Sequence, residues 1–298
     1  QLQLRHECPR SRGSMALQRL ATMSSRVVDV ISSKTFLGWA SALFIAWGIL
    51  VLVSSRVPVF KGKPRGAAHQ IVVLVPFTYL CVNGIWLWFF DAGFQAAFAD
   101  DRVFGDYAPA YELTLMIAAF QLWDFVTTLV SKELCKFEYL AHHGVTFMLA
   151  MSALTNGPHG FIMYYIPFFV GVSESSSVFL AFVDLFRMFK PLAEAVPALN
   201  EACRVTFSVL FLAIRCIYWP FVCVDFYRDT LASSTPLYLL VIWYIANIGL
   251  TGMQYFWGWL IVKAILKMIR GDTSNRDDET EARSQIRSRL LDTEVRPE

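Results

Sequence analysis

Long apolar runs separated by short polar stretches set the pattern of this chain. Residues 36–54, 71–90 and 235–262 contain no Asp, Glu, Lys or Arg. Four further runs, 111–131, 139–155, 160–186 and 204–224, carry no more than two such residues each. A helix needs roughly 20 apolar residues to cross a hydrocarbon core of about 30 Å, and the runs are of that order. Strands of a membrane barrel would be about 10 residues long with alternating polarity, which this pattern lacks. The sequence therefore predicts an all-α integral membrane protein with about seven transmembrane helices. The runs 160–186 and 235–262 are too long for a straight crossing, and Pro167, Gly249, Gly252 and Gly258 mark where tilt or kinks are expected.

Composition agrees with the pattern. The chain is 56% hydrophobic and 17% charged, with a mean hydropathy of +0.47; soluble domains carry about 25% charged residues. The net charge of +2 is spread over tails and loops, and no basic cluster interleaved with aromatics points to nucleic acid. Of the six cysteines, Cys81, Cys135, Cys203, Cys216 and Cys223 lie in or beside apolar runs and read as small buried thiols. No disulfide framework or CxxC metal motif is present.

The polar stretches give the organisation. Residues 1–33 form a polar tail with Arg5, Arg10, Arg12, Arg19 and Arg26, followed by a first membrane helix over 36–54. The chain does not begin with Met; Met15 or Met23 is a candidate start, and the Arg- and Ser-rich leader reads either as a transit peptide or as sequence that is not native. Residues 266–298 form a charged tail expected in the cytosol. Arg56, Lys61, Lys63 and Arg65 fill the first loop, Lys132 and Lys136 the third, and Arg187 and Lys190 the fifth, whereas Asp91, Asp100, Asp101 and Asp106 dominate the second. By the positive-inside rule the basic loops face the cytosol; the basic N-terminal tail argues the other way.

Few polar groups fall inside the apolar runs, and a charge there usually faces the bundle interior with a partner. They are Asp124, the pair His142–His143, Glu174 within Ser173–Ser177, and Arg215, with Asn247 and Gln254 on the last helix. With about 1.5 Å rise per residue, the histidines lie about one turn in from the cytosolic end, Asp124 roughly 9 Å in, and Glu174, Arg215 and Gln254 about 16–18 Å in. These depths predict one polar cavity opening towards the cytosol. Glu174 is expected to pair with Arg215 or with the histidines, and that pair has a purely structural reading too. Ser173 to Ser177 also suit close helix packing. His159 reads as a surface residue and His69 as lying at a loop edge. Imidazole titrates near neutrality, which suits His142 and His143 as general bases or nucleophiles.

Other histidine chemistries fit poorly. Membrane di-iron enzymes use about eight histidines, and this chain has five. The elongase HxxHH motif lacks its first histidine in Tyr139-Leu-Ala-His142-His143, and residues 238–260 contain no lysine for a retinal. No metal or cofactor is expected.

The stretch Tyr139-Leu-Ala-His-His-Gly-Val-Thr-Phe, followed about 30 residues later by Ser173-Glu-Ser-Ser-Ser-Val-Phe-Leu180, resembles the TLC domain. That family includes the ceramide synthases, the translocon-associated TRAM proteins and TLC-domain proteins of lipid homeostasis. Asp124 resembles the acidic residue on the helix before the histidine pair. The likeness covers roughly residues 70–265 and implies six helices forming a barrel around a lipid-accessible polar cavity. In ceramide synthases the histidine pair and downstream aspartates carry acyl transfer from acyl-CoA to a sphingoid amine. His142 and His143 take the places of that pair. Glu174 stands where the family has the acid of a His-Asp pair, with Ser173 replacing its histidine and Ser177 replacing the next aspartate. Ala181 and Asp184 stand where an acid and a lysine belong. The Glu-Ser-Ser pattern looks closer to the TLC proteins that are not ceramide synthases.

Two functions stay open. One is a protein of membrane lipid homeostasis that senses, carries or binds lipid in an intramembrane cavity, with Ser173, Ser177, Arg215, Asn247 and Gln254 as its polar lining. The other is an acyl-CoA-dependent acyltransferase using His142, His143, Asp124 and Glu174, with acyl-CoA as co-substrate. Membrane lipids are the expected partners, in the endoplasmic reticulum or another endomembrane, with the plasma membrane left open.

Overall fold

The structure, a computed structural model, describes residues 24–270. The two tails, with the candidate starts Met15 and Met23, therefore lie largely outside the described residues. Every regular element among the described residues is helical, and two compact units are present, one ending at Thr251 and one beginning at Gly252.

Seven long helices correspond to the apolar runs: α1 (Lys34–Ser54), α2 (Pro64–Phe90), α3 (Ala108–Val130), α4 (Phe137–Thr155), α5 (Pro167–Met188), α6 (Pro197–Ala232) and α7 (Leu237–Ile269). Six of them are long and apolar enough to cross a membrane. The exception is α4, 19 residues long, whose Glu138, His142 and His143 lower its hydropathy. The end of the predicted polar tail is itself helical over 24–32, and a bend at Ser33 separates it from α1, whose first turn is capped by the Ser33 hydroxyl.

Two boundaries differ from the sequence expectation. The run 160–186 becomes a helix only from Pro167, because the preceding segment turns through Gly157, Gly160 and Ile162 at positive φ. The glycines take that conformation without strain, whereas Ile162 is held in it by burial and by its N–H bond to the Val103 carbonyl. At the other boundary, α6 begins at Pro197 and runs for 36 residues, well beyond one crossing.

Packing joins α3 along α4, α5 along the first half of α6, α1 against both α2 and α3, and α2 across α5. That last crossing is backbone on backbone. A Cβ added to Gly84 would lie 2.4 Å from the Gly171 Cα, so only glycine fits on both helices. Around it, the backbone leaves regular α geometry: Trp86–Phe90, Pro167–Gly171 and Phe211–Tyr218 are π-helical, and Val172–Glu174 is a tight 3-10 turn. The core is aromatic, with Phe94, Phe120, Trp123, Phe161, Tyr165, Phe168 and Phe226 fully buried. Outward-facing Ile45, Val82, Val209, Phe221 and Ile245 leave an apolar surface of the kind lipid covers.

Candidate functional site

The end of the bundle that carries the basic loops also holds its densest polar cluster. On α3, Gln121, Asp124 and Thr128 are spaced i, i+3 and i+7 and so share one face. Asp124 is only 2% exposed. The start of α2 is tied to the end of α3: the Gly66 N–H donates to Glu133 Oε1 at 2.8 Å, and Arg65 donates to the Val130 carbonyl at 2.7 Å. This tether carries His69 to Asp124, where its Nε2 lies 2.7 Å from Oδ1. The His69 ring stacks on Trp123 with centroids 5.1 Å apart and planes 13° from parallel. The Thr128 hydroxyl donates to the same Oδ1 at 3.3 Å.

From the other side, α4 brings His143. Its Nδ1 lies 3.0 Å from Gln121 Oε1 and 3.4 Å from Asp124 Oδ2. Both neighbours are acceptors when Asp124 is ionised, so Nδ1 carries the hydrogen and Nε2, on the far edge of the ring, holds the lone pair. That is the geometry of a base oriented by an amide oxygen with a carboxylate beside it. His142 sits beside it, ring centroids 5.3 Å apart and planes at 69°.

A second cluster lies behind the first. Arg215, in the π-helical stretch of α6, reaches Glu174 Oε1 at 3.1 Å. Its Nε donates to the Ser173 carbonyl at 3.0 Å and to Ser176 Oγ at 3.3 Å, and its terminal nitrogen to Ser177 Oγ at 3.1 Å. Both charges are at least nine-tenths buried. The two clusters feel each other: Arg215 acts electrostatically on His142, and Glu174 on His143.

The predicted residues thus divide. Asp124, His142 and His143 come together, and so do Glu174, Arg215, Ser173 and Ser177. Ser173 contributes its carbonyl, since its hydroxyl donates to the Phe169 carbonyl at 2.6 Å. Asn247 stands apart, accepting a hydrogen bond from the Tyr227 hydroxyl at 2.6 Å on the seam of α6 and α7. Gln254 belongs to the unit that begins at Gly252, and no part of the site is assigned to it. His159 is exposed, 3.4 Å from Asp106.

His69 corrects the sequence reading. It is a buried partner of Asp124, 6% exposed, rather than a loop-edge residue. Gln121 is a second residue that the sequence pattern does not single out; its position three residues before Asp124, on the same helix face, is the signal it carries. A cleft of about 390 Å³ opens at the opposite end of the chain's helices, lined by Arg26, Asp29, Tyr111, Glu112 and His159 among others. Among the described residues, no group of three or more His, Cys, Asp or Glu is arranged to hold a metal ion.

A family model of the TLC domain, the domain of the TRAM, LAG1 and CLN8 proteins, matches residues 31–263. No curated protein and no solved structure matches the chain. The matched segment runs from before α1 into α7 and carries both polar clusters, so this multi-pass membrane protein belongs to the TLC-domain family.

Proposed function

We propose that the protein binds a membrane lipid through the polar interior formed by α2, α3 and α4, and that it serves membrane lipid homeostasis by sensing, carrying or holding that lipid. The observation behind this reading is Asp124. A carboxylate buried in an apolar bundle is expensive, and such groups usually mark functional sites. Here it is held by imidazoles from two different helices. His143 keeps 17% of its side chain exposed, and on this reading it is the member of the cluster that a headgroup meets. The Glu174–Arg215 pair, closed by three serines, supplies a rigid wall rather than a reacting group. An endomembrane such as the endoplasmic reticulum is the compartment this role suits.

A second reading is favoured by the fixed tautomer of His143. In acyl transfer, a lipid amine or hydroxyl would attack the thioester carbonyl of acyl-CoA, His143 Nε2 would take its proton, and CoA would leave as the thiol. The basic loops beside the site would receive the water-soluble donor. Lipid profiling of a knockout, run beside an acyl-CoA turnover assay on purified protein, separates the two readings. Altered lipid levels without turnover support lipid handling. Turnover that His143→Ala abolishes, with helix content unchanged, replaces it with acyl transfer.

A further inference from the structure

We infer that His69 is a positioning residue of this interior site: by holding Asp124 from α2, it makes the carboxylate fix His143 on α4 with Nε2 turned to the ligand. The inference rests on the proposed lipid site and adds a residue and a role to it. Three observations carry it. The two carboxylate oxygens are divided between the rings, Oδ1 to His69 at 2.7 Å and Oδ2 to His143 at 3.4 Å. The short contact is the one to His69, so His69 sets where the carboxylate sits; His143 Nδ1, hydrogen-bonded to Gln121 Oε1 at 3.0 Å, meets the carboxylate as its second neighbour. The His69 ring has little freedom of its own, being stacked on Trp123 and placed by a helix start bonded to Glu133 and Val130.

The third observation concerns the other side of the His69 ring. With Nε2–H donating to Asp124, Nδ1 is left a buried acceptor, and it has no hydrogen-bond partner among the described residues. Such an atom works against stability. A ring kept there purely for packing would be better apolar, so its presence is explained by what Nε2 holds. His69 therefore acts through Asp124 rather than by touching the ligand.

The test compares amides of two lengths at this position, in the full chain reconstituted in lipid nanodiscs. His69→Gln keeps a side-chain N–H near the place of Nε2. His69→Asn is one methylene shorter and does not reach Asp124, and His69→Ala is a second variant without the donor. The first readout is modification of His143 by diethyl pyrocarbonate, measured by peptide mass. The second is capture of a photoreactive diacylglycerol. His69→Asn and His69→Ala are expected to lower both by about tenfold, as loss of a hydrogen bond to a charged group allows, while His69→Gln stays near wild type. Equal behaviour of the Gln, Asn and Ala variants at His143 overturns the inference. Failure of the wild type to capture lipid sinks the lipid reading instead, and His143 modification still decides the role of His69.

Discussion

The Arg215 guanidinium meets the Glu174 carboxylate at 3.1 Å, and each charge stands where its helix departs from α geometry. The π-helical turns of α6 bring Arg215 inward, and the tight turn after Gly171 presents Glu174 and the Ser173 carbonyl to it. Departures of this kind recur at functional sites, and here they hold together the wall behind the histidines. Removing one partner leaves a buried charge alone. Glu174→Gln is expected to destabilise the fold by about 3–5 kcal/mol, while Glu174→Gln combined with Arg215→Met recovers much of that loss. Thermal unfolding of the purified variants, followed by size-exclusion chromatography, reads this directly.

The wall depends in turn on the α2–α5 crossing. Gly84→Ala would put a methyl group 2.4 Å from the Gly171 Cα and 2.7 Å from the Pro167 carbonyl oxygen, contacts that only backbone movement relieves. It is expected to lower the unfolding temperature and to loosen the Glu174–Arg215 pair. Gly249→Ala is the control, since a Cβ there meets nothing within 4 Å. Equal stability of the two variants would mean that the close crossing is not required.

Much of this architecture is legible from hydropathy alone, because a membrane forces every backbone group into a helix and leaves apolar runs as its record. The Glu174–Arg215 pair was partly legible for a related reason: a charge in such a run needs a partner, and the sequence offered Arg215 or the histidines, between which the structure chooses Arg215. His69 was not, because it precedes the charge-free run at 71–90 and its position depends on the tether of Gly66 to Glu133, a long-range contact. The π-helical stretches were equally hidden, since hydropathy records an apolar run and not the hydrogen-bond register within it. Asn247 shows the converse limit. Its polarity was legible, but not that Tyr227 satisfies it.

Outside the membrane helices, Asp91 provides a pH-dependent contact. The Tyr107 hydroxyl donates to Asp91 Oδ2 at 2.8 Å and is the main cause holding that carboxyl below its ordinary value, with the Phe94 and Gly93 N–H groups helping and burial opposing. A carboxyl lowered on folding adds stability above its ordinary value of 3.8 and loses it as pH falls through the lowered value. The stability difference between wild type and Tyr107→Phe is therefore expected at neutral pH and should shrink as pH falls below the carboxyl's ordinary value of 3.8. A difference that persists in acid would assign the effect to ring packing instead.

The loop charges predict sidedness. Cys135 is exposed in a loop with Lys132 and Lys136, and Ala99 is exposed beside Asp100 and Asp101. A membrane-impermeant maleimide added to sealed microsomes is expected to label Cys135. It should label an Ala99→Cys variant only after the membrane is permeabilised. The reverse pattern would turn the protein over and place the histidine cluster at the lumenal end.

The central claim is that lipid enters the bundle at Asp124 and His143. Its most direct test is photo-crosslinking of a diacylglycerol carrying a diazirine in its chain to the reconstituted full-length protein, with the labelled peptides mapped. The label is expected on α3 and α4, in peptides spanning Gln121–Thr128 and His142–Met148. Competition by unlabelled lipid should remove it, and Asp124→Asn should reduce it by about tenfold without unfolding the protein. Label confined to the outward-facing apolar residues, unaffected by competitor or by Asp124→Asn, would contradict the account.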